Sequence, residues 1–260
     1  SDLYKNIQFI EIYWWCHALI ARDWFRYAEY DLVLCKPAVT KEFLIYNRAW
    51  SGSREYRLKF TELLVENNVS KYCMTWFSPL DDGQHYASHQ FKNPTLKIKN
   101  FNLENYFIPA QVDSTASADY FSTDYQKTKI EIVLETLFDD GRLHLTEKSL
   151  RPIACGHPFM LAATHGSLEY LRSYGFETFS PWIDETYDTI EDPAQRLEAI
   201  VQEMKRIANL SEDNKTMLYT RLKAIAIRNK KLFFSTAWQQ RIVDEYKTNF
   251  DIAVQKFNQF

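Results

Sequence analysis

Two polar stretches hold the residues whose types and spacing suit them for chemistry. The first, Asn47-Arg48-Ala49-Trp50-Ser51-Gly52-Ser53-Arg54-Glu55-Tyr56-Arg57, follows a short apolar run and opens a helical pattern. A helix N-terminus presents unpaired amides and the positive end of the helix dipole, which together favour an anion. Arg48, Arg54 and Arg57 add guanidinium forks matched to phosphate oxygens. Arg54 and Arg57 stand three apart, on one helix face. The second stretch, 135–152, carries Glu135, Thr136, Arg142, Thr146, Glu147, Lys148 and Arg151. Thr146 has the chemistry of an N-cap. Lys148 then falls in the first helical turn, where it opposes the dipole, an arrangement that makes sense beside a bound anion. Pro152 and Gly156 shorten the helix at a cost.

Each stretch also has an ordinary reading. In the first, Glu55 and Glu62 balance the arginines of a solvated helix start; in the second, Glu147 and Arg151 form a pair one turn apart. Chemistry at a hydroxyl would need a general base, and Asp81, His85 and Asp119 are the candidates, with Asp82 and His89 beside them. His85 and His89 are four apart, yet no HExxH and no third ligand accompany them. Asp139-Asp140 is adjacent rather than spaced as D-x-D, so no metal is expected. The basic run 221–231 reads as a solvated helix face or, alternatively, as a phosphate-tracking surface for nucleic acid.

The elements that must position these residues alternate. Apolar runs at 42–46, 71–77, 129–134 and 157–162 read as strands, and 7–15 and 31–35 as two more. Helical spacing marks 17–30, 54–66, 146–155, 166–174 and 192–210, with a polar helical tail over 211–260. Gly175 closes the fourth of these helices. The stretch 78–115 has no sustained period and contains Pro79, Gly83, Pro94 and Pro109, which marks an elaborated insertion. Strand–helix alternation implies an α/β, Rossmann-like parallel sheet covered on both faces, with ligands at the carboxyl ends of its strands.

Composition narrows the function classes. Six glycines in 260 residues, with neither G-x-G-x-x-G nor a P-loop, argue against glycine-lined dinucleotide and NTPase sites. A net charge of -3 gives no global pull toward nucleic acid or anionic membrane. Four dispersed cysteines form no C-x-x-C pair and fit a reduced, cytoplasmic setting. No apolar run reaches the length of a membrane span. The chain opens Ser1-Asp2-Leu3 without a methionine, so a further N-terminal lobe is expected before it.

Three segments carry a resemblance: FLIYNRAWSGSREYR, ETLFDDGRLHLTEKSLRPIACGHPFML and GSLEYLRSYGFETF. They resemble viral, phage and bacterial glycosyltransferase-like proteins, and the T-E-K element looks like the donor-site segment of α1,3-fucosyltransferases. The resemblance spans about 41–210. It implies the donor lobe of a GT-B fold, with flanking N- and C-terminal helices and an acceptor lobe reduced or missing. On that basis 1–40 is an N-terminal link, 41–210 the donor-binding α/β domain and 211–260 a C-terminal helical segment. The implied activity is metal-independent transfer of a hexosyl or pentosyl group from a nucleoside-diphosphate sugar to a hydroxyl of a glycan or modified DNA base. No cofactor beyond the donor is implied. Glu147 would contact the donor ribose or sugar, Lys148 and Arg48 the diphosphate with Arg54 assisting, and Glu135 and Thr136 would line the same pocket. The alternatives are a non-catalytic nucleotide-sugar or nucleic-acid binding module, and an interaction domain that kept the fold.

Overall fold

The computed structural model describes residues 10–99, 102–109 and 117–258. Among these residues five parallel strands form the main sheet: β1 (Phe43–Asn47), β2 (Cys73–Phe77), β5 (Ile108–Pro109), β6 (Ile130–Leu134) and β7 (Phe159–Ala162). Their spatial order is β5-β2-β1-β6-β7. In chain order this is third, second, first, fourth, fifth, the order of a Rossmann-like sheet whose direction of growth reverses between β1 and β6. Every residue of β6 and β7 is buried, which is why neither shows the apolar–polar alternation of a half-exposed strand, Glu131 being the one charged residue in the two. A two-residue hairpin, β3 (Leu80–Asp81) and β4 (Gln84–His85), stands apart from this sheet.

Helix α2 (Tyr56–Glu66) crosses from β1 to β2, and α4 (Glu147–Cys155) from β6 to β7. Because those crossovers run in opposite directions along the sheet, the right-handed rule puts the two helices on opposite faces. Accordingly α2 packs on α6 (Pro193–Ala208), whereas α4 packs on α1 (Cys16–Trp24) and α7 (Glu212–Phe234). The short helices α3 (Ser122–Lys127) and α5 (Ser167–Ser173) precede β6 and follow β7. Ser235 ends α7 and caps α8 (Thr236–Phe257) through the Trp238 amide. One buried apolar cluster runs from Trp15 through the sheet to Phe233, Trp238 and Ile242. Among the described residues no helix is long and apolar enough to cross a membrane.

The structure departs from the sequence reading in three places. Positions 7–9 of the first expected strand lie outside the described residues, and 10–15 form no strand. That arm buries Trp15 against Tyr174 and Trp238, at ring separations of 4.6 and 6.3 Å, and its indole donates to the Leu145 carbonyl at 2.8 Å. Aromatic packing, not a strand ladder, is what its apolar residues serve. Residues 31–35 hold a 3-10 turn, Val33–Cys35, with Leu32 exposed, and the helix expected over 17–30 breaks after Trp24 into another 3-10 turn. The irregular insertion is ordered by a small core of its own, comprising Trp50, Leu58, Phe77, Tyr86, Ile98 and Leu103. Two buried carboxylates on α2's face tie it down. Glu55 accepts from the Lys92 and Asn93 amides at 2.9 and 2.7 Å, and Glu62 accepts from the Lys99 amide.

Arg151 is turned into the protein, away from any ligand. Its guanidinium donates to Glu131 at 2.6 Å and to the Tyr125 hydroxyl at 2.9 Å, while that hydroxyl donates to Glu131 at 2.6 Å. This closed triangle fixes α4 to β6 in the interior. Breaking one partner strands the other charge. Arg151→Met is therefore expected to cost about 3–5 kcal/mol in urea denaturation, with part of the loss recovered in the Glu131→Gln/Arg151→Met double variant. A loss below about 1 kcal/mol would show that the pair is dispensable.

Candidate active site at the sheet reversal

Both polar stretches come to the carboxyl edge of the sheet, on either side of the β1–β6 reversal. Asn47 ends β1 and is fully buried, its amide donating to the Arg57 carbonyl and to Thr61 Oγ1 at 3.2 and 2.7 Å. It anchors the strand to α2 and is not open to a ligand. Arg57 is buried as well, its two terminal nitrogens donating to the carbonyls of Ala49, Leu134 and Glu135 at 2.6, 2.6 and 3.0 Å. It stitches the β1 turn to the end of β6, so the expected anion contact is replaced by carbonyl contacts. Arg54 folds back onto the Ser51 carbonyl at 3.2 Å. Arg48 lies over the Tyr46 ring at 5.3 Å, and Arg151 approaches the same ring at 4.4 Å.

The turn after β1 already holds an anion. Asp81 accepts from the Trp50 and Ser51 amides at 2.7 and 2.6 Å. Burial alone would raise its pKa, but the Ser51 and Trp50 hydrogen bonds more than reverse that and hold it below the usual carboxylate value. An acid held so firmly in its ionised form by backbone donors is a poor general base. His85 does not fill that role either: its Nδ1 accepts from the Ala87 amide, and its ring stacks on Tyr86. His89 instead meets Glu55 at 3.1 Å, so the two histidines have separate partners. Asp119 is exposed and accepts from the Tyr120 amide, with no described contact to α4.

The turn after β6 is built around Glu135, which is fully buried. Its Oε1 accepts from the Thr146 amide at 2.9 Å and from the Ser149 hydroxyl; its Oε2 accepts from Thr146 Oγ1 and the Thr136 amide at 2.8 and 3.1 Å. Thr146 in turn caps α4 by accepting from the Lys148 amide at 3.3 Å. At the other end Gly156, with φ +61°, lets the His157 amide reach the Pro152 carbonyl and its own amide reach Ile153, which closes α4 despite its internal proline. Arg142 lies outside this arrangement, exposed and paired to Asp140 through two bonds of 2.8 and 2.6 Å. That pairing draws the Asp140 carboxyl down to about 2.

The first turn of α4 carries a polar cluster at this edge, in which Lys148 is half-buried and Glu147 buried. Lys148 Nζ donates to Glu147 at 2.7 Å and reaches Thr146 Oγ1 and Thr136 Oγ1 at 3.3 and 3.4 Å. Burial would raise the Glu147 pKa, yet the Lys148 ammonium brings it below the ordinary value. Helix α1 adds His17, whose Nδ1 is buried with no hydrogen-bond partner among the described residues, 3.7 Å from Glu147, and whose ring meets His144 edge-on at 5.1 Å. Burial, aided by His144 and Lys148 against the pull of Glu147, holds His17 below the usual imidazole pKa. A neutral imidazole beside a carboxylate has the chemistry of a general base, and an adjacent ammonium that of an anion ligand. No spacing in the sequence links position 17 to position 147; the N-terminal arm brings them together.

The basic run in α7 spreads its charges over separate protein partners. Arg221 covers Trp182, Lys223 donates to the Gly156 carbonyl, Arg228 grips Glu177, and Lys230 donates to the Ala28 carbonyl. A stripe tracking a nucleic-acid backbone would need these charges together on one open face. Comparison of the chain with protein-family models, with characterised proteins and with solved structures gave no match.

The next turn along this edge repeats the carboxylate device. Asp188 accepts from the Leu168 amide at the start of α5 at 3.0 Å, and burial pushes its pKa up to about 6 despite that bond. The folded state therefore favours the protonated acid, and stability is lost as pH rises through the folded pKa. Asp188→Asn, which cannot ionise, is expected to gain on the parent by about 2–3 kcal/mol as pH climbs from about 4 to about 7, and to level above that. Urea denaturation at a series of pH values measures it, and a difference that does not vary with pH would refute the assignment.

Proposed function

We propose that the carboxyl edge of the sheet at the β1–β6 reversal binds the diphosphate of a nucleotide sugar, and that the chain is the donor lobe of a GT-B glycosyltransferase. The observation that carries this reading is the partly exposed Lys148 on the first turn of α4, paired to the buried Glu147 with His17 of α1 beside it, at the point in a Rossmann-like sheet where ligands bind. The resemblance of the T-E-K element to fucosyltransferase donor sites supplies the identity of the ligand. In this reading Lys148, with Arg48 from the β1 side, stabilises charge developing on the departing nucleoside diphosphate. Glu147 orients Lys148 and meets the donor ribose or sugar, with Thr136 beside it. His17 accepts the proton of the attacking hydroxyl, a role for which the chain has no better placed histidine among the described residues.

A second reading has an observation of its own. The amides after β1 already hold Asp81, which leaves α4 to carry the ligand and favours a module that binds a nucleotide sugar without turning it over. Turnover separates the two. Calorimetric titration with UDP, GDP and dTDP sugars is expected to find one that binds, with Lys148→Ala weakening it by about tenfold or more. Absence of binding by every donor to the folded chain would overturn both readings. In the transferase reading, His17→Gln keeps donor binding but slows donor consumption by about 100-fold; equal rates in the two proteins would remove His17 from the chemistry.

A further inference from the structure

At the opposite, amino edge of the sheet lies a cavity of about 140 Å³ that nothing above employs. It is walled by the start of β6, the turn before β7, the segment that follows the Val33–Cys35 turn, and α7. Four of its wall residues, Val39, Lys129, Tyr219 and Lys223, also line an open depression of about 590 Å³, so the two are contiguous and the cavity is reached from solvent.

Three groups in this wall are electrostatically incomplete. Lys223 spends one of its three donors on the Gly156 carbonyl at 2.8 Å, and among the described residues its ammonium has no carboxylate within ion-pair distance. Lys129 lies over the Tyr219 ring at 5.2 Å and likewise has no carboxylate partner among those residues. The nearby acids are engaged elsewhere: Glu42 and Glu212 both pair with Lys215 at 3.1 Å, and Glu42 also accepts from the Tyr219 hydroxyl. His157 is buried, and its Nε2 has no hydrogen-bond partner among the described residues. Burial, then the Lys223 and Lys129 ammoniums, drive its pKa well below the usual imidazole value. Two half-buried ammoniums beside a buried neutral imidazole form a site of concentrated positive potential with unused donors.

We propose that this cavity binds a small oxyanion, a phosphate or carboxylate group, held between Lys129 and Lys223 against His157. The volume is about that of four to five waters, enough for inorganic phosphate or a short-chain carboxylate. Leu34, Pro37, Val39 and Pro158 give the wall an apolar side that accommodates a short stem. The site lies at the sheet edge opposite Lys148 and does not depend on the donor reading.

Histidine ring ¹H–¹⁵N correlations of the intact chain test it, with phosphate and acetate titrated separately at constant ionic strength. The chain has six histidines, and single His→Gln variants of the other five assign the His157 signal by elimination. Phosphate or acetate is expected to shift that signal saturably, and the stronger of the two identifies the anion class. Lys129→Met should weaken the response by about tenfold, whereas Lys148→Ala should leave it unchanged. Lys129 is the preferred variant because its ammonium donates to no described group, so its removal spares the fold; Lys223→Met also removes the hydrogen bond to Gly156. A His157 signal unmoved by both anions, or one that moves equally in Lys129→Met, would overturn the proposal.

Discussion

A parallel sheet sends the start of each following helix to the same edge, so the positive ends of the helix dipoles collect there and need negative charge nearby. In this chain the match is made from within. Asp81 occupies the amides after β1, Glu135 the start of α4, and Asp188 the start of α5. Glu135 is the most committed of the three, with four donors converging on one fully buried carboxylate. Its position sets the junction between β6 and α4, and with it every side chain on the first turn of that helix. Arg57 completes the frame from the other side by gathering carbonyls from both turns.

This internal neutralisation changes what the edge can offer a ligand. With these amides filled, an anion arriving at this edge would meet side-chain cations, chiefly Lys148, rather than a vacant backbone nest. Lys148 is presented because Glu147 and the two threonine hydroxyls hold it at the rim. His17 is added by a different part of the chain, whose Trp15 is fixed to the Leu145 carbonyl immediately before α4. The chemistry of the rim thus depends on two attachments, Glu135 beneath the helix and Trp15 above it.

Much of this was legible beforehand. The buried strands β1, β2, β6 and β7 stand out because a sheet covered on both faces leaves mostly apolar runs without alternation, and α6 because one face alone is apolar. Thr146 as a cap and Gly156 as a terminator follow from local chemistry. The direction in which a guanidinium points was not legible. Arg57 and Arg151 have the composition of anion ligands and are both spent inside, the second on Glu131, an acid in the middle of an otherwise apolar strand. That misplaced acid is the one sequence signal of the buried pair. The arm at 10–15 has the composition of a strand without being one, because β-branched and aromatic residues suit a buried strand and a buried arm equally well. β5 escaped notice because a two-residue edge strand ending in Pro109 has no period to detect.

The dipole argument applies to the other edge with its sign reversed, and there it leaves a remainder. Helix C-termini bring unpaired carbonyls to the amino edge, and lysines are their natural partners. Lys223 meets the carbonyl of Gly156 just past α4, Lys230 that of Ala28, and Lys41 that of Lys71. Each carbonyl accounts for one donor of an ammonium and for none of its net charge. Where a lysine also has a carboxylate, as Lys215 does with Glu42 and Glu212, the local charge is balanced. Around His157 the capping requirement is met while, among the described residues, no carboxylate pairs with Lys129 or Lys223, which face the same cavity. At the carboxyl edge the chain supplies its own anions. At the amino edge capping alone does not explain two facing ammoniums, and an anion taken from outside would complete the balance.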